Sequence, residues 1–376
     1  MKIVIFGLTV TSSWGNGHAT LWRGLCRALA RRGHSIVFFE KDVPYYASER
    51  DLEILTGCWL HMYRSWNEAL PVAIRESSNA DVAMVTSFCP DGAAASDVVL
   101  SSSAQLRVFY DMDTPVTLEK LRGGEQVFYL PSRGLGEFDL VLSYTGGAKL
   151  ENELRQRLGA RRVAPLYGSV DPELHHPVPS VDKFRADLSY MGTYAADRQA
   201  GVEELLLEPA RRLPERQFSV GGAQYPPEVH WTENVRFTQH VAPPQHAAFY
   251  CSSRLTLNVT RKVMADMGYC PSGRFFEAAA CGTPILSDWW EGLDQFYKPG
   301  SEILIAHNTD DAVGAVELSD RELSRLSRAA RERTMAEHTA ERRAIEFENA
   351  VESARQACSS GSERARRDSM SAPLAG

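Results

Sequence analysis

The first forty residues leave few folds open. An apolar run at 2–8 leads into a polar, Gly-containing connection from Thr9 to Gly17, and helical spacing then runs from about His18 to Arg32. Leu21, Leu25 and Leu29 share the apolar face, Gly33 ends the helix, and a second apolar run occupies 34–40. Strand, helix and strand in this order are a βαβ unit, the sign of a parallel sheet covered by helices. Further strands are expected at 81–87, 106–110, 126–130, 138–143 and 162–168. Several end in polar residues: Thr86-Ser87, Asp111 with Asp113, and Ser143 to Gly147. Open α/β sheets bind ligands beyond the carboxyl ends of their strands, so these positions predict a cleft along one edge.

The pattern then repeats. Residues 169–180 carry three prolines and little periodicity, and read as a linker. Beyond them, strands are expected at 188–191, 217–220, 235–239, 255–259, 285–288 and 302–306, with helices at 198–213 and 244–252. The expected fold class is therefore α/β, with two Rossmann-like doubly wound domains, 1–168 and 181–338, facing each other across a cleft. From Asp310 the chain is helical and charged, with a break at His338-Thr339 that makes 339–357 a separate helix. Residues 358–376 are rich in Ser and Arg without apolar periodicity, and are expected to be disordered.

Composition excludes several roles. A net charge of −7 argues against nucleic acid as the main partner. No apolar run approaches the ~18 residues needed to span a bilayer, which leaves only peripheral membrane contact open. The short apolar start lacks a cleavage-site pattern and reads as a strand, not a signal segment. Seven cysteines without CxxC spacing fit reduced thiols and a cytoplasmic location. The histidines lack ligand spacing, and the adjacent His175 and His176 would point apart, so no metal is expected.

In the first loop, Gly15-Asn16-Gly17 lies eight residues beyond Gly7, and Thr20 stands at the third glycine position of a dinucleotide fingerprint. Glu40 ends its strand as an acidic residue does in nicotinamide binders, but the loop is too long to hold a pyrophosphate against the helix start. Trp14, Gly15, Asn16 and Gly17 are better suited to gripping a polar acceptor in a cleft. His18, at a helix N-terminus where the macrodipole disfavours protonation, is a candidate hydrogen-bonding group or general base, or else a packing residue. Asp111 and Asp113 share a side if the chain stays extended; otherwise one caps the next turn and the other points into the cleft.

In the second half Gly192 follows its strand directly, Arg198 lies at a helix start, and Arg261 ends a third strand. Pro271 forbids helix before it, Ser272 is a good N-cap, and Gly282 with Pro284 stops the helix. Arg274 and Glu277 share a face within its first turns, either as a solvated ion pair or as an anion site with a carboxylate for sugar hydroxyls. Cations gathered at strand ends in an acidic chain fit a diphosphate.

These residues carry a resemblance. The Gly-rich first loop ending in Gly17-His18, together with Phe276-Glu277-Ala278-Ala279-Ala280-Cys281-Gly282-Thr283-Pro284, resembles GT-B glycosyltransferases. The particular flavour is the CgeB-like (spore maturation protein) group, related to retaining glycogen-synthase-like enzymes. The resemblance implies a nucleotide diphosphate sugar donor (UDP-, GDP- or dTDP-sugar) held by the second domain, no tightly bound cofactor and no metal. It places Glu277 on the ribose, Ser272 and Arg274 at the diphosphate with Gly192 and Arg198 or Arg261, and Asp288 and Glu291 near the base or sugar. The first domain would present a small-molecule, glycan or protein acceptor, with Asp111 among its contacts and His18 and Asp113 as catalytic groups. The C-terminal helix would return to the first domain. One position departs from the family: eight residues before Glu277, where it has a second, sugar-contacting glutamate, this chain has Tyr269. A nucleotide-sugar 2-epimerase or a non-catalytic nucleotide-sugar binder of the same architecture are the alternatives.

Overall fold

The structure, a computed structural model, describes the backbone of residues 1–370 and the side chains of residues 1–360. β1 (Lys2–Gly7), β2 (Ser35–Lys41), β3 (Cys58–Tyr63), β4 (Val82–Thr86), β5 (Leu106–Asp111), β6 (Leu140–Ser143) and β7 (Val163–Pro165) form one parallel sheet. Its order is β3-β2-β1-β4-β5-β6-β7. β8 (Ala186–Met191), β9 (Phe218–Gly221), β10 (Val235–Thr238), β11 (Ser253–Asn258), β12 (Ile285–Ser287) and β13 (Leu304–Ile305) form a second, in the order β10-β9-β8-β11-β12-β13. All its pairings are parallel too. The order reverses between β1 and β4 and again between β8 and β11. The loops leaving these strands therefore part, and each sheet opens a crevice at its carboxyl edge.

β1 shows why the strands read as continuous apolar runs. Ile3 and Ile5 pack beneath Leu25 and Leu29 of the helix His18–Arg31, while Val4 and Phe6 pack on the opposite face with Ala95 and Leu118. Both faces are covered, so alternation disappears. The helix Ala340–Met370 brings Ala344, Phe347 and Val351 onto the first of these cores. The chain thus crosses between the sheets twice, and the two crossings are bonded together. The Val170 amide donates to the His338 carbonyl (3.0 Å), and the Ala340 amide donates to Val170 (2.8 Å). Arg27 on the first helix pairs with Asp171 beside this junction.

Three local expectations change. Residues 126–130 form no strand; Val127 and Tyr129 are buried while Phe128 is exposed, so an irregular segment mimics strand alternation. The edge strand β3 was not anticipated, because it exposes Trp59 and presents a mixed face. The last helix runs to Met370, past the expected end at 357; of the residues expected to be disordered, 371–376 lie outside the described residues. All seven cysteines are free, and no described helix is long and apolar enough to cross a membrane.

Candidate active site

A cavity of about 500 Å³ lies between the two carboxyl edges. Gly15, Asn16, Gly17, His18 and Asp113 line it from the first sheet, and Gly192, Arg198, Arg261, Ser272, Arg274 and Glu277 from the second.

The first wall is built around Glu40. This buried carboxylate ends β2 and accepts from the hydroxyls of Thr9 (2.5 Å) and Thr11 and from the amides of Val10 (2.7 Å) and Thr11 (3.2 Å). Its acceptors are spent on folding the first loop, which removes it from the role of a ribose ligand. The loop is tied further by Asn16, whose amide donates to the carbonyls of Thr9 and Ser12 while its oxygen accepts the His18 amide. His18 thereby begins its helix facing the cavity, and its Nε2 lies 2.6 Å from Asp113 Oδ2. Burial alone would raise the Asp113 carboxyl, but the His18 imidazole and the Arg261 guanidinium outweigh it and hold the group below its usual value. An ionised Asp113 makes Nε2 the donor, and in a neutral imidazole so held Nδ1 is the nitrogen that carries the lone pair a general base needs.

The two aspartates do not act as a pair. Asp111 is wholly buried at the end of β5, with Oδ1 accepting the Asp113 amide (3.0 Å) and Oδ2 unpartnered. Burial, the largest influence, pushes its carboxyl up to about 6, against the hydrogen bond from the Asp113 amide. It does not line the cavity, so its expected place at the acceptor is corrected. Trp14 is likewise not in the lining; its ring packs 4.9 Å from His240 across the cleft.

The opposite wall is cationic. Arg274 donates to the carbonyl of Met191 (2.9 Å) and reaches that of Val259; Arg198 donates to the carbonyl of Thr193. Their guanidinium groups lie 5.3 and 5.8 Å from the ring of Tyr190. Burial, with the neighbouring charges of Arg274 and Arg261, lowers the Arg198 pKa. No side-chain carboxylate is hydrogen-bonded to either guanidinium among the described residues. Arg261 differs, because its Nε is paired with Asp197 at 3.0 Å. Ser272 stands at the N-cap position of the helix Gly273–Ala280, yet its side chain makes no cap; Oγ donates instead to Asn258 Oδ1 at 2.7 Å. The first amides of that helix are therefore uncapped by any side chain, and Ser272 and Gly273 face the cavity. Glycine is required nearby, since a Cβ on Gly222 would lie 2.0 Å from the Gly192 carbonyl oxygen.

Glu277 lies one turn into this helix and accepts from the Tyr250 hydroxyl at 3.2 Å. It faces two histidines that spacing did not reveal. His246 donates Nε2–H to the Val241 carbonyl (3.0 Å), which turns its Nδ1 toward His175 Nε2 at 3.4 Å. Burial lowers both imidazole pKa values. His175, His246 and Glu277 place three ligand atoms within 4.8 Å of one another, the one such group among the described residues that could hold a metal ion.

Two expected donor contacts fall elsewhere. Asp288 is half-buried and accepts from the amide and hydroxyl of Thr260 and from Asn258, fixing the loop that carries Arg261. Glu291 is exposed, and its carbonyl accepts the Tyr269 amide. Neither lines the cavity. Tyr269, at φ +48°, is clamped between the domains. Its carbonyl accepts the Gly146 amide (3.0 Å), and a Cβ on Gly147 or Gly292 would strike its ring at 2.6 or 2.3 Å. It contributes to the joint between the sheets and not to the cavity lining. Phe88, His240 and His246 do line the cavity and were missed; each lies on a loop close beyond a strand end or on the helix after it, the one general signal for such positions.

Residues 198–349 match a family described as Glycosyl transferase-like. No curated protein matches the chain in sequence. Among solved structures, an alpha-glucosyltransferase in complex with UDP aligns over 93% of this chain and 99% of its own, with a TM-score of 0.69 and 11% identity. Sucrose-phosphate synthase from Thermosynechococcus elongatus aligns over 93% and 97%, with a TM-score of 0.66 and 15% identity. The Anabaena protein HepE in complex with UDP and glucose aligns over 94% and 100%, with a TM-score of 0.65 and 12% identity. Shared over nearly the full length at such low identity, the likeness is one of fold: two Rossmann-like domains across a cleft, the GT-B architecture.

Proposed function

We propose that the protein is a glycosyltransferase that moves a sugar from a nucleotide diphosphate sugar to an acceptor hydroxyl. The observation that carries this reading is the pair of half-buried guanidinium groups, Arg198 and Arg274, which line the cavity hydrogen-bonded only to backbone carbonyls beside an uncapped helix start. Two neighbouring half-buried cations without a carboxylate partner repel each other, and a diphosphate in the cavity supplies the opposite charge. Glu277 then takes the ribose hydroxyls, and Gly192 admits the backbone to close approach.

His18 Nδ1 removes the acceptor proton while Asp113 holds Nε2–H and stabilises the imidazolium that forms. The acceptor oxygen bonds to the anomeric carbon, the bond to the diphosphate breaks, and its charge develops against Arg198, Arg274 and the helix amides. A base-assisted direct displacement inverts the anomeric centre. The dyad therefore supports inversion over the retention that the family resemblance implies, and Tyr269, removed to the domain joint, leaves the sugar-contacting glutamate unreplaced. Since neighbouring structures were solved with UDP, UDP-sugars are the first donors to try, before GDP- and dTDP-sugars. Calorimetry with UDP on the wild-type protein tests the reading, and proton NMR of the product reads the anomeric outcome. A protein that ignores every nucleoside diphosphate is not this enzyme.

A further inference from the structure

The acceptor side of the cavity has a chemistry of its own, carried by an aromatic path. Phe88 follows β4 at φ +61°, a conformation a bulky residue holds only when its surroundings enforce it. Its ring lines the cavity edge-on to His18, 6.0 Å between centroids and 67° between planes. Tyr129, buried, braces it from behind at 4.9 Å, and Phe128 continues the path outward at 6.3 Å while remaining 55% exposed. Leu8, Leu21 and Met112 complete an apolar surround. Several polar side chains here are already engaged. Both amide protons of Asn16 are donated to carbonyls, Ser13 Oγ donates to Asp51 and Thr20 Oγ1 to Gly17. A sugar acceptor brings many hydroxyls that need partners, and Asn16, Ser13 and Thr20 have spent donors on the protein itself.

We infer that the acceptor is a flat, apolar aromatic molecule that presents one hydroxyl to His18 and lays its ring system against Phe88 and Phe128. The inference rests on the transferase reading and deepens it. Aromatic faces and edges pair favourably beyond their buried area, and a planar phenol needs one polar contact, which His18 Nδ1 supplies. The phenolic hydrogen passes to Nδ1, the new bond joins the phenolic oxygen to the anomeric carbon, and the nucleoside diphosphate departs.

The test uses the full chain with UDP-glucose and two acceptor sets, 2-naphthol and related phenols against glucose and maltose, with products read by mass spectrometry. Glycosylated phenols, with sugars untouched, are expected. Phe128→Ala, a change at an exposed position, should raise the KM for 2-naphthol about tenfold with UDP affinity unchanged. Phe88→Leu should do the same, and its folding is checked by UDP binding. Preferential glycosylation of sugars, or a naphthol KM that ignores both substitutions, overturns the aromatic assignment. UDP binding without any phenol product also overturns it and leaves donor binding standing. Absence of UDP binding in the wild type overturns the transferase reading itself.

Discussion

The two walls of the cavity are made of the same βα units, yet they handle polar groups in opposite ways. On the first wall each group near the loop is matched internally: Glu40 takes hydroxyls and amides, Asn16 spends its donors and acceptor, and Asp51 binds Arg23 and Ser13. On the second wall Arg198 and Arg274 meet only carbonyls, and Ser272 turns away from the helix it should cap. Internal matching makes a rigid, nearly neutral platform from which one dyad projects. Unmatched cations make a surface that is complete only with an anion. The difference separates scaffold from ligand site, with Glu40 buried within its loop and Arg274 half-exposed to the cavity.

The largest effect should come from the single reactive group on the neutral wall. His18→Ala is expected to lower turnover by about 10²–10⁴-fold while leaving UDP affinity in place. Asp113→Asn should also be slow, because a carboxamide can present either donor or acceptor to Nε2 and no longer stabilises the imidazolium. Steady-state rates beside calorimetry separate the two quantities, and a normal rate for His18→Ala would return the dyad to a packing role.

On the cationic wall the loss should appear in binding. Arg274→Ala is expected to weaken UDP by about 1.5–3 kcal/mol, the scale of a hydrogen bond to a charged group, with little change for uridine. Glu277→Ala should weaken UDP and uridine together, as a ribose contact requires. Equal losses for both ligands in Arg274→Ala would break the contrast between the walls. A metal at His175, His246 and Glu277 would have a different signature, in that UDP affinity would respond to added zinc and to His246→Ala together.

Sequence reading reached the donor wall better than the acceptor wall, for a physical reason. The helix Gly273–Ala280 is punctuated locally by Pro271, Ser272 and Gly282, so Arg274 and Glu277 could be placed on one face from a dozen residues. Even there, the Ser272 cap failed because Asn258, fourteen positions earlier, competes for its hydroxyl. The dyad joins residues 95 positions apart, and His18 and Asp113 could be named separately but not joined. The family resemblance puts Asp288 near the donor, whereas Thr260 and Asn258 consume it. Phe88 carried no periodic signal, and its role depends on a backbone angle that only the packed fold imposes.

A moderate effect should follow from disturbing the internal matching. Glu40→Ala removes the acceptor of two hydroxyls and leaves the buried amides of Val10 and Thr11 without their partner. A stability loss of about 1–3 kcal/mol is expected in urea unfolding, with UDP affinity nearly unchanged because the cationic wall is untouched. If UDP binding fell as far as stability, the walls would not be independent.

The smallest effect lies with Asp111, the one unmatched carboxylate on the otherwise matched wall. Its folded value of about 6 exceeds the ordinary 3.8, so between those values the folded chain binds more protons than the unfolded chain. Stability contributed by this group is thus present at low pH and lost as pH rises through about 6. The slope is at most about 1.4 kcal/mol per pH unit. Asp111→Asn removes the titration while its side-chain oxygen can still accept the Asp113 amide. The difference between wild-type and variant unfolding free energies should therefore change steadily from pH 4 to pH 6 and level off above it. A flat difference would mean that Asp111 finds a partner for Oδ2 in solution, and the first wall would then be matched without exception.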